Sequence, residues 1–198
     1  MEIIKFQIDE MEGMTLITDS VRDFVKQQRL KEGAVMIQAV ETPVAITLAE
    51  KDNPSFEKEF FKKINRLLPK YDGMQYMGKE TPGVKADVIG QSLHIMVSDG
   101  ELVLGVHQGI YALDFNAYNT ERHLFINGYG TQLAEGEEPH LPQFLADLNQ
   151  ATLNAEAAAK EEERRVVEEM RREYRERQEQ LAREGKDLSS LSDNDRKL

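Results

Sequence analysis

Short β-branched runs separated by turn residues dominate the first two thirds of the chain, and their spacing predicts alternating strands and helices. Residues 3–8 and 14–17 have the composition of strands. Asp19 is expected to cap a helix that ends at Gly33. The apolar residues of that helix recur on one face, which we expect to be buried: Val21, Phe24 and Val25.

Two further β-branched runs, residues 34–40 and 44–49, precede a second amphipathic helix. Asn53-Pro54 is expected to start this helix, because proline is favoured at the first helical position. The helix should run to about residue 68. Its apolar side chains recur at helical spacing and are predicted to pack in the core: Phe56, Phe60, Ile64 and Leu67.

A two-residue turn at Asp99-Gly100 lies between two alternating runs and predicts a β-hairpin. Counting outward from that turn places His94 opposite Gly105, if the second strand continues to His107. The two imidazoles would then be diagonal neighbours, about 7 to 8 Å apart. The strands expected at 111–115 and 123–129 complete a mostly antiparallel α+β fold.

The composition changes beyond residue 132. Gly136, Pro139 and Pro142 interrupt regular structure, and the following segment is rich in Ala, Glu and Arg. We therefore predict an α+β domain at 1–132, a linker at 133–145, a charged helix at 146–184 and a disordered tail at 185–198.

The predicted C-terminal helix carries glutamate and arginine four residues apart in the favourable order, and each such pair adds about 0.2 to 0.5 kcal/mol. Its apolar stripe is thin. The helix could project into solvent, dock on its own or a neighbouring subunit, or bind another protein. We expect it to supply protein contacts.

Charge and composition narrow the class of protein. The chain has 198 residues, 36 acidic and 25 basic side chains, a formal charge of −11 and no cysteine. A net negative charge makes nucleic acid an improbable partner, and the absence of cysteine excludes disulfides and thiolate metal sites. The N-terminus lacks the apolar run of a signal peptide or membrane span, so we expect a cytoplasmic protein.

Three strings resemble the YjbQ family: VETPVAITLAE at 40–50, VIGQS at 88–92 and DGELVLGVHQGI at 99–110. The resemblance covers about residues 1–130. It implies a small homotrimeric α+β protein of a family described as secondary thiamine-phosphate synthases. The implied ligand is a phosphorylated small molecule.

The chain departs from the family pattern at the positions where family members carry histidine. Glu41 stands where the family has the histidine of a His-Thr-Thr-Ala string, and Gly83 stands in place of a second histidine. The region of a third, at residues 76–79, contains no imidazole. Five residues match the family motifs and are expected to bind ligand or assist catalysis: Thr42, Glu50, Ser92, Gly105 and Gln108.

Two functional hypotheses follow. The leading one is a catalytically degenerate, homotrimeric ligand-binding or assembly module without a cofactor. The alternative is an enzyme of the thiamine-phosphate synthase-like class, with Glu41, Glu50 and His107 as catalytic groups. In a variant of the enzyme hypothesis, His94 and His107 bind zinc or another divalent metal together with a carboxylate. His123 and His140 have no ligand-spaced neighbours in the sequence, so we assign them no chemistry.

Overall fold

A computed structural model describes residues 1–69 and 81–183 and confirms the predicted α+β class. Within these residues the chain forms eight strands and four helices. In order these are β1 (Glu2–Phe6), β2 (Gly13–Leu16), α1 (Thr18–Gln27), β3 (Leu30–Ala39), β4 (Val44–Glu50), α2 (Phe56–Leu67), α3 (Thr81–Ile89), β5 (Ser92–Ser98), β6 (Glu101–Leu102), β7 (Gln108–Asp114), β8 (Arg122–Gln132) and α4 (Gln143–Arg183).

The strands form two antiparallel sheets. The larger has the order β1-β8-β3-β5-β6, and the smaller has the order β2-β7-β4. One core cluster joins side chains of both sheets and α1, including Val35, Ile95 and Ile110. A second joins the smaller sheet to α2 and α3, through Leu113, Ile64 and Ala86. The smaller sheet is therefore covered on both faces, whereas the described residues leave one face of the larger sheet uncovered.

The boundaries of α1 differ from the prediction. Asp19 lies in the first turn and does not cap the helix, because Ile17 occupies the N-cap position and no side chain bonds there. The helix ends at Gln27, and Arg29 follows it with φ 50°. The prediction that Gly33 ends the helix was wrong, since Gly33 lies within β3. The buried face of Val21, Phe24 and Val25 is confirmed.

Gly33 has a different role, at the crossing of β3 and β8. It pairs with Gly130, and both have positive φ angles of 152° and 147°. A Cβ on Gly33 would lie 2.0 Å from the Tyr129 carbonyl oxygen. The two backbones approach so closely that only glycine fits between them.

Helix α2 begins at Phe56, two residues later than predicted, with Ser55 at the N-cap. Asn53 acts just before the helix, where its Oδ1 accepts a hydrogen bond from the Ser55 N–H at 3.0 Å. Ile64 is buried as predicted, and Phe61 is buried beside it. The core prediction was wrong for Leu67, whose surface is 75% exposed because it lies in the last turn of the helix.

The predicted hairpin forms, but only its first pairs. Val97 pairs with Leu102 as expected. Beyond Leu102 the chain turns, with a hydrogen bond from the Leu104 N–H to the Leu102 carbonyl at 3.0 Å, and crosses to the smaller sheet. On its other edge β5 pairs with β3, where His94 lies opposite Met36. The predicted pairing of His94 with Gly105, and with it the diagonal approach of His94 to His107, was wrong.

Part of the predicted linker is held against the α+β fold. The Leu133 N–H donates to the Arg29 carbonyl at 2.7 Å, and the His140 N–H donates to the Asp99 carbonyl at 2.9 Å. Glu137 forms an ion pair with Lys31, and the hydrogen bond from Lys31 lowers the pKa of Glu137 below its ordinary value. Hydrogen bonds and an ion pair thus fix residues 133–140 to the α+β domain before α4 begins.

The chain divides into two compact units, Met1–Asn149 and Gln150–Leu198. In the second, α4 carries ion pairs such as Glu161 with Arg164 at 2.8 Å, spaced three residues apart where we predicted four.

No described helix of residues 1–69 and 81–183 is long and apolar enough to cross a membrane. The tail predicted to be disordered at 185–198 lies outside the described residues.

Candidate functional site

The loop that joins β3 to β4 places Glu41 beside His123 of β8. The Glu41 Oε1 atom lies 3.2 Å from His123 Nδ1. The other ring nitrogen, Nε2, lies 3.2 Å from Glu121 Oε1. Glu121 in turn pairs with Lys5 Nζ at 2.8 Å. One imidazole thus lies between two carboxylates, and with both ring nitrogens protonated it donates to both.

This cluster of Lys5, Glu41, Glu121 and His123 contains an unsatisfied acceptor. Glu41 Oε2 is buried and has no hydrogen-bond partner among the residues that the structure describes. The Glu41 side chain is 25% exposed and that of His123 is 35% exposed. Because buried polar atoms are nearly always hydrogen-bonded, this oxygen must be satisfied by a donor outside the described residues, such as water or a ligand.

Lysine and histidine also influence the acidity of this cluster. The hydrogen bond and positive charge of Lys5 are the main causes that hold the pKa of Glu121 below its ordinary value, and His123 contributes to a smaller degree. Glu121 is exposed to solvent, so the effect is local and sensitive to salt.

Two further positions from the sequence analysis lie next to Glu41. A Cβ added to Gly83 of α3 would lie 2.9 Å from Thr42 Cγ2. Gln91, which precedes Ser92, donates from Nε2 to the Thr42 carbonyl at 3.1 Å. Positions 41 and 83, where the resemblance implies histidine, are therefore neighbours in space.

The remaining predicted residues meet at the other end of β4. Glu50 pairs with Gln108 in the last register position of β4 and β7. His107 Nδ1 lies 2.8 Å from Asp52 Oδ2. The Gly105 N–H donates to Gln108 Oε1 at 2.8 Å, which closes the turn between these two residues.

The two groups of predicted residues do not meet within one chain. They are separated by the length of β4, whose seven residues span about 20 Å at ~3.3 Å per residue. Glu41 and Thr42 lie before the strand, while Glu50 and His107 lie at its far end. A single intrachain pocket that contains Glu41, Glu50 and His107 is therefore incompatible with the fold. Their catalytic and binding roles stay predictions.

The predicted metal ligands are likewise apart. His94 is exposed on β5, and His107 pairs with Asp52 at the turn before β7. Residues 1–69 and 81–183 contain no group of three or more His, Asp or Glu side chains arranged to hold a metal ion. Residues 76–79, where family members carry a further histidine, lie outside the described part of the chain.

The sequence analysis overlooked two residues. His123 was assigned no chemistry, although it contacts Glu41 and Glu121; Glu121 lies two residues earlier, just before β8, and that spacing was the available signal. Lys85 was not noticed at all. Its side chain is 1% exposed, its Nζ lies 3.2 Å from Glu12 Oε2, and it also donates to Asn65. This buried lysine joins α3 to α2 and to the loop before β2.

The match to known proteins identifies the fold's family. The family model described as UPF0047 protein YjbQ-like matches residues 2–131. The chain belongs to the YjbQ family. UPF0047 protein YugU of Bacillus subtilis is 26% identical over 122 residues, which cover 61% of this chain and 92% of YugU. UPF0047 protein MJ1081 of Methanocaldococcus jannaschii is 26% identical over 58% of this chain and 85% of that protein.

Solved YjbQ structures share the architecture. An uncharacterized YjbQ/UPF0047 protein of Clostridium acetobutylicum superposes with a TM-score of 0.62 at 22% identity, over 65% of this chain and all of that one. A protein of unknown function from Sulfolobus solfataricus also gives 0.62, at 20% identity, over 66% of this chain and 96% of that one. None of these descriptions names a reaction, and the YjbQ match ends before α4.

Proposed function

We propose that this chain is a catalytically degenerate YjbQ protein, a homotrimeric module that binds a small molecule and uses α4 for protein contacts. Glu41 is the observation that carries the proposal. At a position where the resemblance implies a histidine, the chain has a carboxylate paired with His123, and its second oxygen is buried with no donor among the residues that the structure describes. The absence of cysteine accords with the cytoplasmic location that we include in this proposal.

The charge of this cluster favours one kind of ligand. Glu41 and Glu121 are acceptors, and a second anion placed against them would be repelled. A group that donates hydrogen bonds, such as an amine or an aminopyrimidine, would satisfy Glu41 Oε2 without that cost. We therefore expect binding at this cluster through a donor group on the ligand, whether or not the ligand also carries a phosphate.

Thiamine and thiamine phosphate test the binding part of the proposal, because they differ only in the phosphate. Native mass spectrometry and calorimetry of the full chain should show comparable affinity for both, and Glu41→Leu should reduce both by at least tenfold. Glu101→Gln, on the distant β6, is the matched control. Affinity for thiamine phosphate alone, or affinity unchanged in Glu41→Leu, would contradict the proposed ligand chemistry.

An enzyme remains the second candidate because of His107 and Asp52. A carboxylate 2.8 Å from a ring nitrogen orients the imidazole for proton transfer. Glu50 and Gln108 lie beside this pair and could contact a phosphorylated substrate. Conversion of hydroxymethylpyrimidine diphosphate and thiazole phosphate to thiamine phosphate with release of diphosphate, lost in Glu50→Gln and in His107→Ala but kept in His140→Ala, would establish the enzyme and reject the degenerate module.

The contact role of α4 rests on its exposed apolar residues. Val166, Met170 and Tyr174 follow one another at helical spacing and are 44%, 56% and 60% exposed. We expect Met170→Glu in the full chain to remove any association beyond the trimer, measured by sedimentation. Glu169→Gln on the same helix is the control. Unchanged higher assembly in Met170→Glu would argue against the contact role.

A further inference from the structure

Helix α4 arranges its charges around an apolar stripe. In a helix of 3.6 residues per turn, positions three, four and seven residues apart share one face. The large apolar side chains of residues 166–181 follow this spacing and lie within about 100° of one another around the helix axis. We call them the α4 stripe: Val166, Val167, Met170, Tyr174 and Leu181.

The two sides of the α4 stripe carry opposite charges. One side has three glutamates, and an arginine follows each glutamate by two residues. Because two residues turn the helix by about 200°, the arginines lie on the other side of the stripe. The acidic edge consists of Glu162, Glu169 and Glu173. The basic edge consists of Arg164, Arg171 and Arg175. In a coiled coil, residues at such edges set the choice and the orientation of the partner helix.

The stripe and the basic edge form one continuous surface. A groove along α4 is lined by Val167, Met170 and Tyr174 of the stripe and by all three arginines of the basic edge. The opposite face of the helix has both signs of charge, which pair within the helix, as Arg172 does with Glu176 at 3.6 Å. The separation of charge is therefore confined to the edges of the stripe.

Two charged residues lie in line with the centre of the α4 stripe. Glu163 lies seven residues before Met170, and Arg177 lies seven residues after it. A helix that covers Met170 therefore also meets both of these charges. A charge in the contact line of two helices weakens their association unless the partner presents the opposite charge. Glu163 and Arg177, the stripe charges, thus restrict which helix can cover the stripe.

A second copy of α4 does not meet these requirements. In a parallel pair in register the edges are complementary, but Glu163 faces Glu163 and Arg177 faces Arg177. In an antiparallel pair centred on Met170, Glu163 faces Arg177, but basic edge lies beside basic edge and acidic edge beside acidic edge. Like charges in these positions select against a pairing. Each way of pairing two identical helices around Met170 therefore brings like charges together.

We propose that the α4 stripe binds an amphipathic helix of a different protein. The charges of α4 define the chemistry of that helix: an apolar stripe, a basic residue facing Glu163 and a carboxylate facing Arg177. Its own edges carry acidic residues against the basic edge of α4 and basic residues against the acidic edge. The inference rests on the contact role of α4 in the proposed function and names the partner class. It is independent of the trimer and of the small-molecule ligand.

Three synthetic peptides of identical composition test the partner class. Each has the sequence of residues 155–181. The first is unchanged, the second exchanges the stripe charges by Glu163→Arg with Arg177→Glu, and the third is the matched control, with Arg172→Glu and Glu176→Arg on the opposite face. Parallel to α4, only the second peptide presents opposite charges at the stripe and at both edges. Fluorescence anisotropy with the full chain should show about tenfold tighter binding of the second peptide than of the other two.

Two variants of the full chain show whether the binding follows the α4 stripe. Exchange of the stripe charges in the chain itself, by Glu163→Arg with Arg177→Glu, should reverse the order, so that the unchanged peptide binds about tenfold tighter than the stripe-exchanged one. Met170→Glu should lose binding of all three peptides, because it places a charge in the centre of the apolar contact. Circular dichroism of both variants checks that the helix content is that of the wild type.

Three outcomes would overturn the inference. These are equal affinity for the three peptides, no binding of the stripe-exchanged peptide at about 100 µM, and tighter binding of the unchanged peptide, which would assign the stripe to a second α4. Loss of association beyond the trimer in Met170→Glu, with no preference among the peptides, would keep the contact role of α4 and reject only the partner class. Peptide binding that Met170→Glu leaves unchanged would reject both.

Discussion

The two ends of β4 each hold an imidazole beside a carboxylate, but in different settings. At one end, Glu41 and His123 join a wider cluster, and one Glu41 oxygen is buried with no donor from residues 1–69 and 81–183. At the other, Asp52 is 53% exposed and His107 is 32% exposed. Water can therefore replace His107 as the partner of Asp52, whereas water from the bulk solvent does not reach the buried Oε2 atom of Glu41.

This difference separates two kinds of role. A pair whose carboxylate is half exposed contributes little to stability. A partly buried pair with an unsatisfied oxygen makes local stability depend on what else binds there. The proposed binding role is therefore assigned to the Glu41 end, whereas the competing enzyme would use the His107 end.

The largest expected effect concerns the support of the Glu41 end. Lys85 follows Gly83 on α3, is 1% exposed and pairs with Glu12. Lys85→Ala leaves a partly buried carboxylate without its cation and creates a cavity, so we expect a loss of about 3 kcal/mol in the free energy of unfolding. Urea denaturation measures it. Lys51 is an exposed lysine at the His107 end of β4, and Lys51→Ala should change the free energy of unfolding by less than about 0.5 kcal/mol. Equal losses in the two variants would contradict the difference between the two ends.

A smaller effect should distinguish the two imidazoles directly. His123→Ala leaves Glu41 with neither oxygen paired, at an expected cost of about 1 to 2 kcal/mol. His107→Ala removes a more exposed pair and should cost less than about 1 kcal/mol. Urea denaturation at pH 7, with Glu41→Gln and Asp52→Asn to complete two double-mutant cycles, gives the two coupling energies. A larger coupling for His107 with Asp52 would reverse our assignment.

The smallest expected effects are opposite pH dependences. Lys5 lowers the pKa of Glu121 below 4.5. The contribution of the ionised Glu121 carboxylate to stability is therefore present above pH 4.5 and is lost as pH falls through the folded-state pKa. Burial, with smaller contributions from Asp52 and Glu57, raises the pKa of Tyr111 above 10.0. The contribution of the neutral Tyr111 phenol to stability is present below pH 10 and is lost as pH rises through the folded-state pKa.

Melting temperatures across pH check both signs. Glu121→Gln should flatten the acidic limb and leave the alkaline limb unchanged, while Tyr111→Phe should do the reverse. Each variant is therefore the control for the other. A variant that alters both limbs equally would show that neither group acts locally.

Local signals in the sequence were sufficient for much of the fold. The Asp99-Gly100 hairpin is a good example, because its turn needs positive φ angles at both residues and the structure has 50° and 84° there. The break after Leu102 could not be predicted in this way, since it depends on the chain crossing to another sheet. Leu67 and Gly33 were misassigned because spacing alone does not show where an element ends.

The candidate site was less accessible to prediction. Resemblance to the family pointed to Glu41 and Gly83, and the fold places these positions close together through Thr42. His123 is 82 residues from Glu41 in sequence, and only the pairing of β8 between β1 and β3 brings them into contact. No periodicity within one element reports such a distant neighbour.

The position of β8 also bears on how the protein emerges from the ribosome. The strand formed by residues 122–132 is inserted between β1 and β3, so the backbone N–H and C=O groups on the facing edges of these two strands have no partner until synthesis has passed residue 132. Nascent β1 and β3 are then exposed to wrong pairing with other chains. Closure of the sheet by this late central strand ends that exposure.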